Sequence, residues 1–300
     1  MKPSVSAPDR PGHSGSLLRI HTAVFLFGAA GLFGKFLSCS PFYIVLGRTA
    51  FGALALVVFA KTISKTRLSG FTPVTLALFL AQGVLLACHW VLFFLSIQVS
   101  SVAVGLVTFS SFPLFVTFME PVFFRERLKL ADVATAVAVF TGIVLVVPGT
   151  DLSDTTTLGA VYGILSGLTF AMLALVNRKN ARQTHAVAVA FYQNLFACLF
   201  LVFPVILLNP EPPGMADLPV LAALGIVFTA LAHTCFISAL SVIRAQTASV
   251  IAGLEPVYGI ALAFLLLNEV PAPNTLAGGT IIIGTTIAAG YLSRDRSAPP

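Results

Sequence analysis

Charged residues are scarce in this chain of 300 residues, because Asp, Glu, Lys and Arg together make up only 9% of it. A soluble domain of this length usually carries about 25% charged residues to keep its surface solvated. Hydrophobic residues account for 57% of the chain, and the mean hydropathy is +0.98. The outer surface therefore faces lipid, which indicates a membrane protein.

Several motifs that carry chemistry are also missing. The four cysteines are scattered and lack the CxxC spacing of a metal site. Neither HExxH nor GxSxG occurs, and no carboxylates pair at helical spacing, so we expect no enzyme activity, metal or cofactor. The net charge of +6 comes from basic residues in short loops rather than from a basic stripe, which argues against nucleic acid as a partner.

Long apolar runs occupy most of the chain, and each is long enough to cross a bilayer core, which needs about 20 residues. The sequence predicts an all-α membrane protein with ten transmembrane helices. The predicted spans are 17–37, 41–60, 74–97, 101–124, 131–147, 158–176, 186–208, 218–240, 246–267 and 275–292.

The basic residues predict the orientation of these helices. Of the 17 Lys and Arg residues, Lys35 and Arg48 lie deeper within predicted helices, and the other 15 fall in the two tails and the even-numbered gaps, counting Arg19 at the start of the first span with the N-terminal tail. By the positive-inside rule, both termini are cytoplasmic. We therefore expect a multi-pass protein of a bacterial-type inner membrane, with the lipid bilayer and a small molecule as partners, as a monomer or weak dimer.

Two stretches of the chain resemble each other at an offset of 143 residues. Pro113 precedes Glu126 by 13 residues, and Pro256 precedes Glu269 by the same distance. A repeat of five helices inserts its second copy upside down, because five is odd. The predicted organisation is a cytoplasmic disordered tail (1–16), a first five-helix repeat (17–148), an external linker (149–157), an inverted second repeat (158–292) and a cytoplasmic tail (293–300).

These marks resemble the EamA family of the drug/metabolite transporter superfamily over nearly the whole chain. They include Phe112-Pro113 with Glu126, and Glu255-Pro256 with Glu269. Within that family the chain looks most like the bacterial amino-acid exporters that include the aromatic amino-acid exporter. The resemblance implies a central cavity lined by both halves and alternating access without ATP. Phe112 stands where the second half has Glu255, so the two halves are not chemically symmetric.

Ionisable side chains within a bilayer are costly and therefore mark candidate sites. Arg48 lies about a third of the way into the second predicted helix, and it either binds a substrate carboxylate or pairs with a helix end or Glu255. Glu255 is either a proton-coupling carboxylate or a structural partner of a cation. Lys35 lies close enough to the outer end of the first helix to snorkel to the interface.

Aromatic and imidazole side chains supply a second group of candidates. His89, Trp90 and His233 fall within predicted helices, where they suit an amino-acid or aromatic solute through hydrogen bonding and stacking. An interhelical hydrogen bond is the alternative for each histidine. Trp90, the single tryptophan, lies too deep for the usual interfacial belt.

Proline marks two predicted hinges, Pro113 and Pro256. A proline frees the backbone carbonyl one turn earlier, and nearby hydroxyls can satisfy it. The kink at Pro113 is therefore expected to face the cavity, with Thr108, Ser111 and Phe112 as candidate lining residues. Tyr192 begins a polar patch with Gln193 and Asn194 in the seventh predicted helix, for which ordinary helix packing is the alternative.

The function that these features favour is a secondary transporter that exports amino acids or similar small metabolites through a central cavity. The few charges within the helices suit a zwitterion better than a phosphorylated solute. Multidrug or other metabolite efflux by the same fold is the nearest alternative. A membrane scaffold or sensor, which would show no saturable flux, is a third hypothesis, and an intramembrane enzyme is a fourth.

Overall fold

A computed structural model describes residues 13–124, 130–147, 149, 151–180, 184–240 and 251–294. Glu126, most of the predicted N-terminal tail and residues 295–300 lie outside this part of the chain. The first half contains α1 (His13–Ala30), α2 (Phe33–Phe36), α3 (Pro41–Thr62), α4 (Pro73–Val99), α5 (Val102–Phe109), α6 (Phe112–Phe124) and α7 (Leu130–Val146). The second half contains α8 (Thr155–Asn180), α9 (Ala186–Leu208), α10 (Asp217–Gly225), a π-helix (Ile226–Leu231), α11 (Ala232–Leu240), α12 (Glu255–Leu267) and α13 (Pro273–Arg294).

Polar residues just ahead of the apolar runs define where several helices begin. Ser40 accepts a hydrogen bond from the Phe42 amide at the start of α3, and Thr72 accepts one from the Thr75 amide at the start of α4. A proline follows each of these caps. The first residue of a helix has no acceptor for its N–H within the helix, so a proline there loses no hydrogen bond. Ser101 caps α5 in the same way through the Val104 amide.

Seven helical stretches of the described residues are long and apolar enough to cross a membrane, and α7 and α12 contain shorter apolar helices. Helices lie where each of the ten spans is predicted, but the count of ten spans and their orientation remain predictions. The seven stretches are Ser14–Phe36, Pro41–Thr62, Pro73–Val99, Val102–Met119, Thr155–Asn177, Ala186–Leu208 and Asp217–Ala239.

Four of the predicted spans are interrupted or irregular. The first breaks between α1 and α2, the fourth breaks between α5 and α6, the eighth contains the π-helix, and the ninth has a turn at residues 253–254 before α12. Pro113 and Pro256 each occupy the second residue of a helix, directly after a break or turn. Each proline therefore follows an interruption of its helix. That both prolines act as hinges stays a prediction.

The packing of the helices is reciprocal between the two halves. The third predicted span of each half packs on the first of the other, since α4 contacts α8 and α11 contacts α1. The second spans pair as α3 with α9, and the fifth spans pair as α7 with α13. The largest buried core, which includes Trp90, lies among α3, α4, α9 and α10. This interior is where the candidate site lies.

Candidate functional site

Arg48 is the largest fully buried side chain among the described residues, with 2% of its surface exposed. Its guanidinium carbon lies 3.6 Å from the centre of the Trp90 ring and 5.6 Å from that of Phe94. Its Nε donates a hydrogen bond of 3.0 Å to Thr229 Oγ1. Thr229 and Phe94 join Arg48, Trp90 and His233 in what we call the Arg48 cluster.

The backbone of the eighth predicted span brings Thr229 to Arg48. Gly225 lies against α3 so closely that a Cβ there would be 2.8 Å from the Arg48 carbonyl oxygen. The π-helix starts at the next residue, and Thr229 Oγ1 donates to the Leu224 carbonyl, five residues earlier, at 2.9 Å. A π-turn inside an α-helix is uncommon and often accompanies a functional site. Here it turns Thr229 toward the guanidinium.

Arg48 keeps most of its hydrogen-bonding capacity unused. A guanidinium carries five N–H donors, and only Nε has a hydrogen-bond acceptor among the described residues. The other four donors belong to Nη1 and Nη2. The guanidinium that carries them lies over Trp90, where the attraction between a cation and an aromatic face holds it. A planar pair of unused donors in a buried position suits a carboxylate, which it would bind through two parallel hydrogen bonds.

His89 lies next to Trp90 on α4 but faces α8. Its Nδ1 is 2.7 Å from Ser166 Oγ, and that hydroxyl donates to the His89 carbonyl oxygen at 3.0 Å. The imidazole also lies 5.0 Å, between ring centres, from both Phe109 and Phe170. His89 therefore forms an interhelical hydrogen bond, the alternative considered for it, at the edge of an aromatic group.

Phe112, Thr108 and Ser111 surround this aromatic group at the break between α5 and α6. Phe112 stacks on Phe109 with ring centres 5.5 Å apart. Thr108 Oγ1 donates to the Val104 carbonyl at 2.6 Å, whereas the buried Ser111 Oγ has no hydrogen-bond partner. We call His89, Phe109, Phe112, Phe170 and Ser166 the His89 cluster.

The two histidines occupy related environments in the two halves. His89 contacts Phe170, and His233 contacts Phe27 with ring centres 5.3 Å apart. His233 also meets the edge of Trp90 at 5.1 Å. The histidines are 144 residues apart and the phenylalanines 143, close to the offset of the Pro-to-Glu repeat. An equivalent His–Phe contact between the two halves therefore occurs twice. Trp90 follows His89 in the chain and contacts His233.

Tyr192 lies apart from these clusters, whereas Glu255 lies near enough to Arg48 to interact with it electrostatically. Tyr192 stacks on Phe79 at 4.8 Å and donates to the Leu68 carbonyl in the α3–α4 loop. Glu255 begins α12 and is half-buried. The guanidinium contacts of Arg48 are with Thr229, Trp90 and Phe94, so its pairing with Glu255 is not a direct one in this conformation.

Sequence reasoning missed Thr229 and Ser166. Both are single hydroxyls in apolar helices, where such residues are common and usually donate to a carbonyl of their own helix. Only the proximity of Ser166 to the glycines of Gly163-x3-Gly167 was a usable signal, because small residues allow close approach of a neighbouring helix. A Cβ on Gly167 would lie 2.9 Å from Ser111 Oγ.

Two apolar surface grooves have linings that include no member of the Arg48 cluster. Each has a volume of about 300 Å³ and an almost wholly apolar lining. One is lined by Phe51, Leu54, Ala55, Val58, Phe59, Thr62, Ile63 and Ile226, and the other by Phe42, Ala87, Cys88, Val91, Leu92, Phe200, Leu201 and Pro204. Neither offers the polar contacts that fix the orientation of a polar solute.

Paired apolar helices with a buried cation and proline-marked breaks define a helical membrane transporter. The model of the EamA-like transporter family matches residues 15–147 and again residues 157–290. The chain belongs to this family.

Relatives with described functions match over most of the chain. The S-adenosylmethionine uptake transporter of Rickettsia conorii is 25% identical over 251 residues, which is 83% of each protein. That of Rickettsia bellii is 24% identical over 251 residues, or 83% of this chain and 84% of the relative. A solved crystal structure aligns with a TM-score of 0.68 and 18% identity over 96% of this chain and 99% of its own, which shows the fold alone.

These relatives refine the expectation drawn from the resemblance. The family membership is confirmed, and so is transport rather than enzyme activity. The relatives are described as S-adenosylmethionine uptake transporters, so they do not support a specific likeness to aromatic amino-acid exporters.

Proposed function

We propose that this protein is a secondary transporter for a small metabolite that carries an amino-acid group, and that Arg48 binds the carboxylate of that group. The observation that carries this proposal is the buried Arg48 guanidinium, four of whose donors have no hydrogen-bond acceptor among the described residues. Buried donors without acceptors are costly in a structural role, whereas a binding site gains from them when the ligand arrives.

S-adenosylmethionine is the first substrate to test. It combines an α-amino-acid group with a sulfonium cation and an adenosine, and it is the substrate in the names of the Rickettsia relatives. The aromatic faces of Trp90 and the Phe residues nearby offer cation–π contacts to a sulfonium. Export of free amino acids is the second candidate, because the Arg48 fork recognises a carboxylate whatever is attached to it.

Transport requires the two clusters to open, since Arg48, Trp90 and His89 are each no more than 6% exposed. We propose alternating access, in which the two inverted halves rock against each other while α6 and α12 swing at Pro113 and Pro256. Inverted repeats commonly move in this way around a site near the bilayer midplane. The distribution of basic residues supports an inner-membrane location with both termini cytoplasmic.

Counterflow in proteoliposomes tests this function. Vesicles loaded with unlabelled S-adenosylmethionine should accumulate the labelled compound, and Arg48→Met should abolish that accumulation because it removes the charge and the donors but keeps an unbranched side chain. Arg67→Met, which changes an exposed loop arginine, is the matched control and should leave uptake unchanged.

The same assay separates the candidate functions. Amino-acid exchange without S-adenosylmethionine exchange would favour the second candidate, and flux of a cationic dye that survives Arg48→Met would favour multidrug efflux. Absence of any saturable flux from correctly folded protein would overturn the proposal.

A further inference from the structure

Four amide side chains lie at one level of the interior, beyond the Arg48 cluster. Gln193 Nε2 of α9 donates to Asn177 Oδ1 of α8 at 2.7 Å, and Asn194 follows Gln193. Gln82 of α4 is at the same level, because a Cβ on the adjacent Gly83 would lie 3.0 Å from the Gln193 carbonyl oxygen. We call Gln82, Asn177, Gln193 and Asn194 the amide layer.

Two members of the amide layer are buried without a full set of hydrogen bonds. Gln82 is 0% exposed, and neither its Nε2 nor its Oε1 has a partner. Asn194 is also 0% exposed, and its Nδ2 donates to the Ala190 carbonyl while its Oδ1 has no partner. Buried amides of folded proteins are nearly always hydrogen-bonded, so each exception needs an explanation. A ligand that is absent from this conformation is one.

Helix geometry relates the amide layer to the Arg48 cluster. Gln82 precedes Trp90 of the Arg48 cluster by eight residues, about 12 Å along the axis of α4. Asn194 Oδ1 is 3.2 Å from the Cβ position of Gly52, which follows Arg48 by one turn of α3. The layer therefore lies one to two helical turns from the groups that surround Arg48.

We propose that the amide layer binds the hydrogen-bonding edge of a nucleobase while Arg48 holds the carboxylate of the same substrate. The inference rests on the proposed function, and it assigns the residues that recognise the nucleobase end of the substrate. A primary amide presents a donor beside an acceptor, which matches the amino group and ring nitrogen of adenine. Gln82 has both of its atoms available for this pairing.

The dimensions of S-adenosylmethionine agree with binding of its carboxylate by Arg48 and of its base by the amide layer. About nine bonds separate its carboxylate carbon from the base, and they span roughly 11 Å when extended. That length is comparable with the distance of about 12 Å along α4 between Gln82 and Trp90, the residue that Arg48 lies over. One molecule can therefore reach both groups once the helices separate.

Binding of substrate fragments tests the proposal independently of transport. The fluorescence of Trp90, the only tryptophan, reports binding to purified full-length protein in nanodiscs. Adenosine should bind, and purine riboside, which has hydrogen in place of the amino group, should bind about tenfold more weakly. Gln82→Met and Asn194→Leu should weaken adenosine binding by a similar factor and leave methionine binding unchanged.

Gln98→Met is the matched control, because Gln98 lies on the same helix outside the amide layer and donates to the Cys39 carbonyl. It should bind adenosine as the wild type does. Equal affinity for adenosine and purine riboside, or adenosine binding that survives Gln82→Met, would overturn the proposal. So would an equal loss of adenosine and methionine binding in the Gln82 variant, because the amides would then support the fold or ordered water.

Failure of the proposed function has a different signature. If methionine binding and S-adenosylmethionine exchange are both insensitive to Arg48→Met, the carboxylate site is wrong. The nucleobase site would still stand if adenosine binding depends on Gln82.

Discussion

The guanidinium of Arg48 lies over the indole of Trp90, with 3.6 Å between the guanidinium carbon and the ring centre. Both side chains are almost completely buried. A desolvated cation over an aromatic face contributes about 2 kcal/mol. The pair therefore helps to retain a charge in an interior that would otherwise exclude it.

A double-mutant cycle measures this contribution. Arg48→Met, Trp90→Leu and the double variant should show a coupling energy of about 1–2 kcal/mol in the free energy of unfolding in detergent. The same cycle between Arg48→Met and Gly284→Ala is the control, since a Cβ on Gly284 meets nothing within 4 Å. Additive effects of the Arg48 and Trp90 changes would show that the stacking carries no energy.

Replacements of Thr229 should distinguish the contribution of its hydroxyl group to stability from that of its shape. Thr229→Val keeps the shape but removes the acceptor for Arg48 Nε, so we expect a loss of about 1.5–3 kcal/mol, the range for hydrogen bonds to charged groups. Thr229→Ser keeps the hydroxyl and should be closer to the wild type. Thermal unfolding of the purified variants checks the difference, and equal stability of Val and Ser variants would contradict it.

Gly225 should not accept even a methyl group. The Cβ of Gly225→Ala would lie 2.8 Å from the Arg48 carbonyl oxygen and 3.0 Å from the Gly52 amide nitrogen, both backbone atoms that cannot move aside. We expect the yield of monodisperse protein to fall sharply. Gly284→Ala is the matched change at an open position of α13, where alanine is the better helix former, and it should express normally.

Glu269 holds the beginning of α5 from the other half of the chain. Its Oε1 accepts the Ala103 amide at 3.2 Å, in the first turn of α5. Glu269→Ala should cost about 0.5–2 kcal/mol, as loss of a helix cap does. Glu211→Ala, which removes an exposed carboxylate, serves as the control in the same unfolding measurement. An equal effect of the two changes would refute the capping role.

His185 should make stability depend on pH. Its ring accepts the Val187 amide at the start of α9, and burial lowers the pKa of His185 below its usual 6.5. The folded state thus favours the neutral ring, so this stabilisation is complete above pH 6.5 and is lost as pH falls through the lower folded pKa. Thermal unfolding of His185→Asn, a cap that does not titrate, should lack this component. Identical pH profiles would contradict the assignment.

The sequence predicted the parts of the site whose chemistry stands out from an apolar helix. Arg48, Trp90 and His233 were candidates because a charge, an indole and an imidazole are rare at such depth, and the structure brings these three together. The prolines likewise marked real interruptions of the helices at residues 110–111 and 253–254. Their role as hinges and the binding roles of the site residues stay predictions.

Other features had no local signature in the sequence. Thr229 resembles any hydroxyl of a membrane helix until the π-helix turns it toward Arg48. Tyr192 was a candidate because it lies beside two amides, yet its ring faces the α3–α4 loop, since side chains of adjacent residues point about 100° apart on a helix. Which face of each helix turns inward depended on tertiary packing.

The π-helix at Ile226–Leu231 also fixes the length of the eighth span. A π-turn holds about one residue more than an α-turn. Deletion of one residue there would restore a regular helix and rotate everything on one side of it by about 100°. Arg48 would then lose either Thr229 or the edge contact that His233 makes with Trp90. The eighth span therefore tolerates substitution of its lipid-facing residues far better than any change in its length.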